Sequence, residues 1–275
     1  MVKEWRFMPP VDGPGALHMA ADVAVLEAIR AGRSGPVLRF YRWTPPCVTL
    51  GKFQPAEGNV RLEDCARLGF DVVRRPTGGR AILHHREVTF SMIIAEEDLP
   101  QAGASIMDSY RVLGTALVDG LRRLGLDAEL VDRKANTRSG DPPSMSAVGN
   151  PACFAAKARC DLMVSGRKII GSAQLRKDGI ILQQNSLPLS VDYPIWAEVF
   201  HRSDWEAVMR DGMVDLWTAA GRKVPEADVV AAIAEGFTSA LGVKFESGSF
   251  TPEEEQRAWE LAPEYAVQTV AEAIS

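Results

Sequence analysis

The chain has 275 residues, 46% hydrophobic and 24% charged, with 31 Lys+Arg against 36 Asp+Glu for a net charge of −5. That composition excludes a disordered or fibrous chain, and at roughly 150 residues per domain the length allows one or two domains with a sizeable core. No apolar run approaches the ~18 residues of a membrane span and no apolar signal core follows the N-terminal residues, so a soluble, cytoplasmic protein is expected.

Residues 16–31 are rich in Ala, Leu, Val and Ile up to Gly32 and Gly35, which predicts a largely buried helix ended by glycine. Strands are predicted at 37–43, 47–51 and 70–75, with a short helix at 61–68. Residues 81–95 are β-branched and apolar enough for a strand or a hairpin. A helix capped by Ser105 follows, with Ile106, Tyr110, Leu113, Leu117, Leu121 and Leu124 at intervals of three or four. Residues 133–151 hold Ser, Gly, Pro and Asn with almost no large apolar residue and read as a long loop, of the kind that is functional or disordered. An antiparallel meander is predicted next: 161–164, a turn at Ser165-Gly166, 168–175, a turn at Asp178-Gly179, and 180–188. Helices at 204–218, 226–241 and two more beyond Thr251 complete the chain. Strands concentrated in one stretch, with helices mostly before and after, indicate an α+β fold rather than a doubly wound parallel sheet.

The four cysteines, Cys47, Cys65, Cys153 and Cys160, fit neither a disulfide framework nor paired CxxC zinc spacing, so no structural metal is expected. Each is a small buried hydrophobe or a reagent. Cys47, Cys65 and Cys160 fall in strand- or helix-like segments, where packing is the default. Cys153 ends the long polar loop in Gly149-Asn150-Pro151-Ala152-Cys153-Phe154, a placement that favours partial exposure, and Lys168 opens a strand fifteen residues later. Spacing alone leaves Cys153 open between packing and nucleophile.

Residues 74–86 carry four arginines and no acid, and 157–177 carry six basic residues against Asp161 alone. Two such runs in an acidic chain favour an anionic partner, although any single run is also explained as a solvated face. No helix-turn-helix, finger or RRM pattern accompanies them, so nucleic acid is not expected. Arg74-Arg75-Pro76-Thr77-Gly78-Gly79-Arg80 leaves a strand and enters a glycine turn whose amides can form an anion-binding nest; as a bare pattern the signal is weak, since a Gly-Gly turn in a β-rich region is more often merely a turn. It is neither a Walker loop nor a Rossmann fingerprint. His84 and His85 are adjacent on the predicted strand, so they face opposite ways and cannot share a metal, while His85 and Glu87 are expected on one face.

Taken together, residues 39–54 (RFYRWTPPCVTLGKFQ), 74–85 (RRPTGGRAILHH), 152–154 (ACF) and 166–183 (GRKIIGSAQLRKDGIILQ) resemble, in order, the lipoate-protein ligase A and biotin-protein ligase superfamily, and most nearly the octanoyltransferases built on that fold. Lipoate ligases usually carry a third glycine where Arg80 stands and lack a cysteine at the position of Cys153. His85 stands where the family commonly has Asp and is given no role. The resemblance implies a single catalytic domain over 1–275, with a core of about 1–245 and a helical tail of about 250–275. It implies an α+β fold of the biotin/lipoate-protein ligase type, with a mixed, largely antiparallel sheet flanked by helices and an acyl tunnel beside the Arg-Gly loop. Cys153 maps onto the nucleophile and Lys168 onto the invariant site lysine. Arg74, Arg75, Thr77, Gly78, Gly79, Arg80, His84, Gly171, Ser172, Ala173 and Gln174 fall at substrate-binding positions.

The implied activity moves an octanoyl group from octanoyl-acyl carrier protein, through a Cys153 thioester, to a lysine of a lipoyl domain such as glycine cleavage H protein or a 2-oxoacid dehydrogenase E2 subunit. A thioester is already activated, so no cofactor and no metal are implied. Lys168 would stabilise the thiolate and then the oxyanion, and with a lowered pKa would assist deprotonation of the incoming amine. The basic runs would face acidic carrier domains and the phosphopantetheine phosphate. The alternatives are an ATP-dependent lipoate or octanoate ligase, an octanoyl amidotransferase between lipoyl domains, and a non-catalytic protein that binds such domains.

Overall fold

Segments rich in Val, Ile, Leu and Phe pair into two sheets, over which helices lay one apolar face each; the computed structural model describes residues 4–99, 105–132, 160–200 and 204–268. In chain order the elements are β1 (Glu4–Gly13), α1 (Gly15–Arg30), β2 (Val37–Trp43), β3 (Cys47–Leu50), α2 (Leu62–Arg67), β4 (Asp71–Arg74), β5 (Ile82–His84), β6 (Glu87–Ala95), α3 (Ile106–Arg123), β7 (Ala128–Asp132), β8 (Cys160–Val164), β9 (Arg167–Lys177) and β10 (Ile180–Pro188). They continue as α4 (Tyr193–Val199), α5 (Trp205–Gly212), α6 (Leu216–Ala220), α7 (Glu226–Leu241), β11 (Lys244–Ser247), α8 (Pro252–Leu261) and β12 (Ala266–Gln268). The larger sheet has eight strands among the described residues, in the order β11-β1-β2-β6-β10-β9-β8-β7, and the smaller has four, β12-β4-β3-β5. β1 runs parallel to β2 and β11, and β3 parallel to β4, while the remaining neighbours are antiparallel. The expected α+β, mixed and largely antiparallel arrangement is the one found.

Each face of the large sheet is buried under a different helical layer. Phe40, Phe90, Met92 and Ile94 meet Leu113, Leu117 and Leu121 of α3 and Ile233 and Phe237 of α7 on one face. Each such side chain contributes about 1.5–3 kcal/mol on full burial. Ser105 caps α3 as expected, accepting from Asp108 N at 3.1 Å. On the opposite face α1 packs through Val25, Leu26 and Ile29, and α8 lies on its outer side through Ala20, Ala21 and Ala24 against Ala258 and Leu261. The small sheet closes on Trp196, Phe200, Trp205 and Met209 of α4 and α5. Among the described residues no helix is long and apolar enough to cross a membrane.

Several sequence expectations are corrected. Residues 81–95 are two strands in two different sheets, because Arg86 takes a left-handed φ of 54° and turns the chain between β5 and β6. His85 and Glu87 therefore do not share a face; it is His84 that meets Glu87. The helix expected at 204–218 is divided into α5 and α6 by an extended stretch in which Val214 N donates to Lys168 O at 2.9 Å. Among the described residues the tail holds one α-helix, a 3-10 turn at Ala262–Glu264 and a strand on β4, in place of the two expected helices. The loop expected at 133–151 lies outside the described residues.

Candidate active site

Arg74 and Arg75 end β4 and point to different tasks. Arg74 Nη1 donates to the carbonyls of Gly51 (3.0 Å) and Gln54 (2.6 Å), which pins the turn after β3. Arg75 is buried, and its guanidinium gathers the Gly-Gly turn from within: Nη2 donates to Gly78 O at 2.6 Å and Arg80 O at 2.7 Å, and Nη1 to Thr49 O at 3.2 Å. In a trans peptide the N–H points away from its own C=O, so the amides of Gly79 and Ala81 are directed away from Arg75. The two glycine motifs also interlock. A Cβ on Gly51 would sit 1.9 Å from Gly79 O, and Gly79 has a φ of 90°, so neither position accepts a side chain in this conformation.

Thr77 anchors the loop to the large sheet. Its hydroxyl donates to Gln184 Oε1 at 2.7 Å, and Gln184 Nε2 donates to Asp22 Oδ2 at 2.8 Å. Asp22 also receives Arg39 Nη1 at 2.6 Å and Ser91 Oγ at 2.8 Å, all sealed from solvent. Arg39 Nη2 lies 2.8 Å from His18 Nδ1; arginine only donates, so Nδ1 accepts and the Nε2 proton goes to Arg42 O at 2.8 Å. Burial first, and then the Arg39 charge, push His18 down to about 3, so the ring is neutral.

Between this loop, α1 and the large sheet lies a cleft of about 290 Å³, walled by Met19, Tyr41, Trp43 and Ile82, with Gly171 and Ala173 on its β9 side. His84 stacks on Trp43 with ring centroids 4.1 Å apart. Its Nε2 lies 2.8 Å from Thr49 Oγ1, and its Nδ1 lies 2.6 Å from Glu87 Oε1. Glu87 further accepts from Thr89 and, at 2.5 Å, from Ser186 Oγ. Burial opposes its charge, but the His84 charge and the hydrogen bonds from His84, Ser186 and Thr89 together outweigh it and hold the carboxyl below its ordinary range. The cleft is thus mostly apolar with an ordered polar rim, a form suited to a flexible acyl chain with a carbonyl at one end.

The segment Gly171–Gln174 divides by strand alternation. Gly171 and Ala173 face the cleft, whereas Ser172 and Gln174 face α3 in a partly buried polar set. There Ser172 Oγ donates to Asn185 Oδ1 at 2.8 Å, Gln174 Nε2 to Gln183 Oε1 at 2.9 Å, and Ser109 Oγ to Gln174 Oε1 at 2.8 Å. A second cavity of about 530 Å³ opens on that side, lined by Met107, Tyr110 and Gly114 together with Cys160, Asp161 and Lys168. Lys168 Nζ stands 2.8 Å from Asp161 Oδ1, and both side chains are nearly sealed. The β8–β9 register shifts there: Leu162 opposes Ile170 while Met163 opposes Lys168, so Ile169 forms a bulge. Bulges commonly re-aim a side chain.

The structure therefore brings Arg75, His84, Gly171 and Ala173 to one cleft, ties Thr77 to the cleft residue Gln184 and the Gly-Gly turn to Arg75, and sets Lys168 three residues along β9 from Gly171. Arg80 is half-buried at the end of the turn. Cys153 lies outside the described residues. Burial pushes the Cys47 thiol up well beyond its ordinary value and that of Cys65 up to about 12, so these two are inert packing groups. Trp43, Thr49, Glu87 and Asp161 belong to the site without having stood out in the sequence. One signal was present: Gln183-Gln184-Asn185-Ser186 are four polar residues inside a strand buried on both faces, where polar groups persist only with partners.

The profile of the lipoyl protein ligase A/B catalytic domain matches residues 14–238. The chain is 38% identical over 272 residues to octanoyltransferase LipM of Kyrpidia tusciae, covering 96% of this chain and 97% of that one. It is 38% identical to octanoyltransferase LipM of Symbiobacterium thermophilum, covering 95% of each. Among solved structures it resembles lipoate-protein ligase A bound with ATP, with a TM-score of 0.73 and 26% identity over 96% of this chain and 95% of that one. It also resembles Ta0514, a lipoate protein ligase homologue from T. acidophilum with bound lipoic acid, with a TM-score of 0.72 and 26% identity over 95% of each.

Proposed function

The chain belongs to the lipoyl protein ligase A/B catalytic-domain family, and from that premise we propose that it is an octanoyltransferase of lipoate biosynthesis acting as a single catalytic domain. The donor is octanoyl-acyl carrier protein and the acceptor a lysine of a lipoyl domain, such as glycine cleavage H protein or a 2-oxoacid dehydrogenase E2 subunit. The observation that carries this reading is that β9 presents an apolar cleft at Gly171 and Ala173 on one face and, three residues away, a buried lysine at 168 lining the cavity on its α3 side, in a chain aligned nearly end to end with octanoyltransferases.

Octanoyl enters the cleft between Trp43, Met19 and Ile82. Burying its methylenes at about 0.8 kcal/mol each contributes on the order of 5 kcal/mol, enough to favour C8 over very short chains. The Cys153 thiolate attacks the thioester carbonyl. A C–S bond to Cys153 forms, the bond to the carrier thiol breaks, and the released thiolate takes up the proton that Cys153 gave up. The acceptor amine then attacks the same carbonyl, a C–N bond replaces the C–S bond, and the amine proton returns to Cys153. Lys168 stabilises the oxyanion of both steps. Its ion pair with Asp161 at 2.8 Å fixes the position of that cation.

The test is intact mass after mixing with octanoyl carrier protein without nucleotide. An octanoyl adduct is expected on the native chain and on Cys160→Ala, and none on Cys153→Ala, whose transfer rate to a lipoyl domain falls by at least about 10³-fold. Strict dependence on ATP and free octanoate would make the enzyme a ligase. Adduct formation from an octanoyl lipoyl domain alone would make it an amidotransferase.

A further inference from the structure

A second space adjoins the acyl cleft at the Arg-Gly loop. Arg75 lines it and also lines a groove of about 710 Å³ on the outer side of the same loop. The two spaces follow the same two elements. On α1 the cleft residue Met19 is succeeded by Val23, Leu26 and Arg30 in the groove, at helical spacing along one face. On β9 the cleft residues Gly171 and Ala173 are succeeded by Leu175 and Lys177 on the same side of the strand. The cleft and the groove thus adjoin at Arg75 along one face of α1 and one face of β9, a trench in outline whose cations stand at its outer end.

The open end gathers Arg30 from α1, Lys52 from the turn after β3, Lys177 from β9, and Arg74 beside Arg75 from the loop. The acids lining it are Glu27 and Glu264. Glu27 is already bonded to Arg257 at 2.8 Å, and Arg30 is bonded to Asp178 at 2.8 Å. Arg74 is held by backbone carbonyls, which leave its charge in place. The hydrogen bond from Arg257 first, with the charges of Arg257, Arg30 and Lys177 adding to it, holds the Glu27 carboxyl below its ordinary range against burial. The positive potential of the groove thus reaches its own wall, and an anion entering it meets cations from four separate elements.

Resting on the octanoyltransferase reading, we propose that this trench docks the donor: the phosphodiester of a phosphopantetheine arm sits among Arg30, Lys52 and Lys177, and the arm lies along Leu175 toward the cleft. The dimensions agree. From Lys177 to Ala173 or Gly171 is four to six strand residues, ~13–20 Å. The arm has about thirteen bonds from sulfur to phosphorus, roughly 16 Å at the advance per three bonds of an extended peptide. A phosphate gripped at the open end delivers its thioester to the cleft. A lipoyl-domain lysine carries no phosphate and is too short to span the trench, so the acceptor has no use for its outer end.

The experiment follows octanoyl-enzyme formation by intact mass with three donors: octanoyl carrier protein, octanoyl-phosphopantetheine and octanoyl-pantetheine. The proteins are the native chain, the double variant Arg30→Glu/Lys177→Glu, and Lys52→Glu, which lies on a different element and guards against a folding defect. In both variants KM is expected to rise at least about tenfold for the two phosphorylated donors, with the rate at saturation held. Octanoyl-pantetheine, and the chase of preformed octanoyl-enzyme with a lipoyl domain, are expected to be unchanged. Equal effects on donors with and without phosphate would overturn the proposal, and so would a defect confined to the lipoyl-domain chase. If the native chain forms no octanoyl-enzyme from any donor, the octanoyltransferase reading itself falls and the docking site with it.

Discussion

Asp161 and Lys168 stand on the adjacent strands β8 and β9, Asp161 two residues from the Met163 that opposes Lys168, with their charged atoms 2.8 Å apart and almost out of reach of water. A buried ion pair is weak evidence for stability, since desolvation consumes most of its Coulomb energy, but losing one partner removes that attraction while the desolvation of the other charge remains. Asp161→Asn should therefore cost about 3–5 kcal/mol in urea unfolding. Removing Lys168 as well, in Asp161→Asn/Lys168→Met, should recover most of that loss. The catalytic consequence runs differently: the double variant regains stability yet should remain at least about 10²-fold slower in transfer, because the oxyanion has lost its cation. If activity tracks stability through the three proteins, Lys168 is a structural residue and its place in the mechanism is lost.

At the scale of elements, strand alternation decides what each motif residue does, and this is where the sequence was only partly legible. The helices α3 and α7 were readable because their apolar residues recur at helical intervals. The hairpins at Ser165-Gly166 and Asp178-Gly179 were readable because all four residues take the left-handed φ that such turns require. β1 was not, since Pro9 and Pro10 interrupt a strand whose register shifts between Met8 and Val11. The resemblance named Gly171–Gln174 as one block, but the pleat sends Ser172 and Gln174 to the far face. The loop of Arg75 offers a test at this scale. Gly51→Ala drives a methyl into Gly79 O and should displace the turn, costing about 1–3 kcal/mol and most of the activity. Gly78→Ala meets no atom within 4 Å and should fold normally; a raised KM in that variant would place the acyl thioester against this glycine. Normal activity in Gly51→Ala would show that the interlock does not shape the site.

Across the whole molecule, one polar chain ties the loop to the core: Thr77, Gln184, Asp22, Arg39 and His18 pass from the small sheet's edge through β10 and β2 into α1. Its far end is a neutral imidazole, and this makes the stability of the entire fold depend on pH. His18 titrates near 6.5 when unfolded and at about 3 when buried beside Arg39. Between those values the unfolded chain binds the additional proton, so stability rises with pH across this window. The contribution is complete above pH 6.5 and is lost progressively as pH falls toward 3. Linkage gives a loss of about 2 kcal/mol from this group between pH 7 and pH 5. Glu87, held below its ordinary range, acts in the same direction but only below about pH 4.5, so the two are separated by their windows. Urea unfolding midpoints measured from pH 7.5 to pH 5 should fall in the native chain. In His18→Gln, which keeps an acceptor near Arg39 and cannot titrate, the same curve should be shallower from a lower starting value, its residual slope coming from His85, which burial and then the Arg86 charge also hold below its ordinary value. Parallel slopes for the two proteins would mean that the acid sensitivity of the fold arises elsewhere than in the chain that holds the Arg-Gly loop in place.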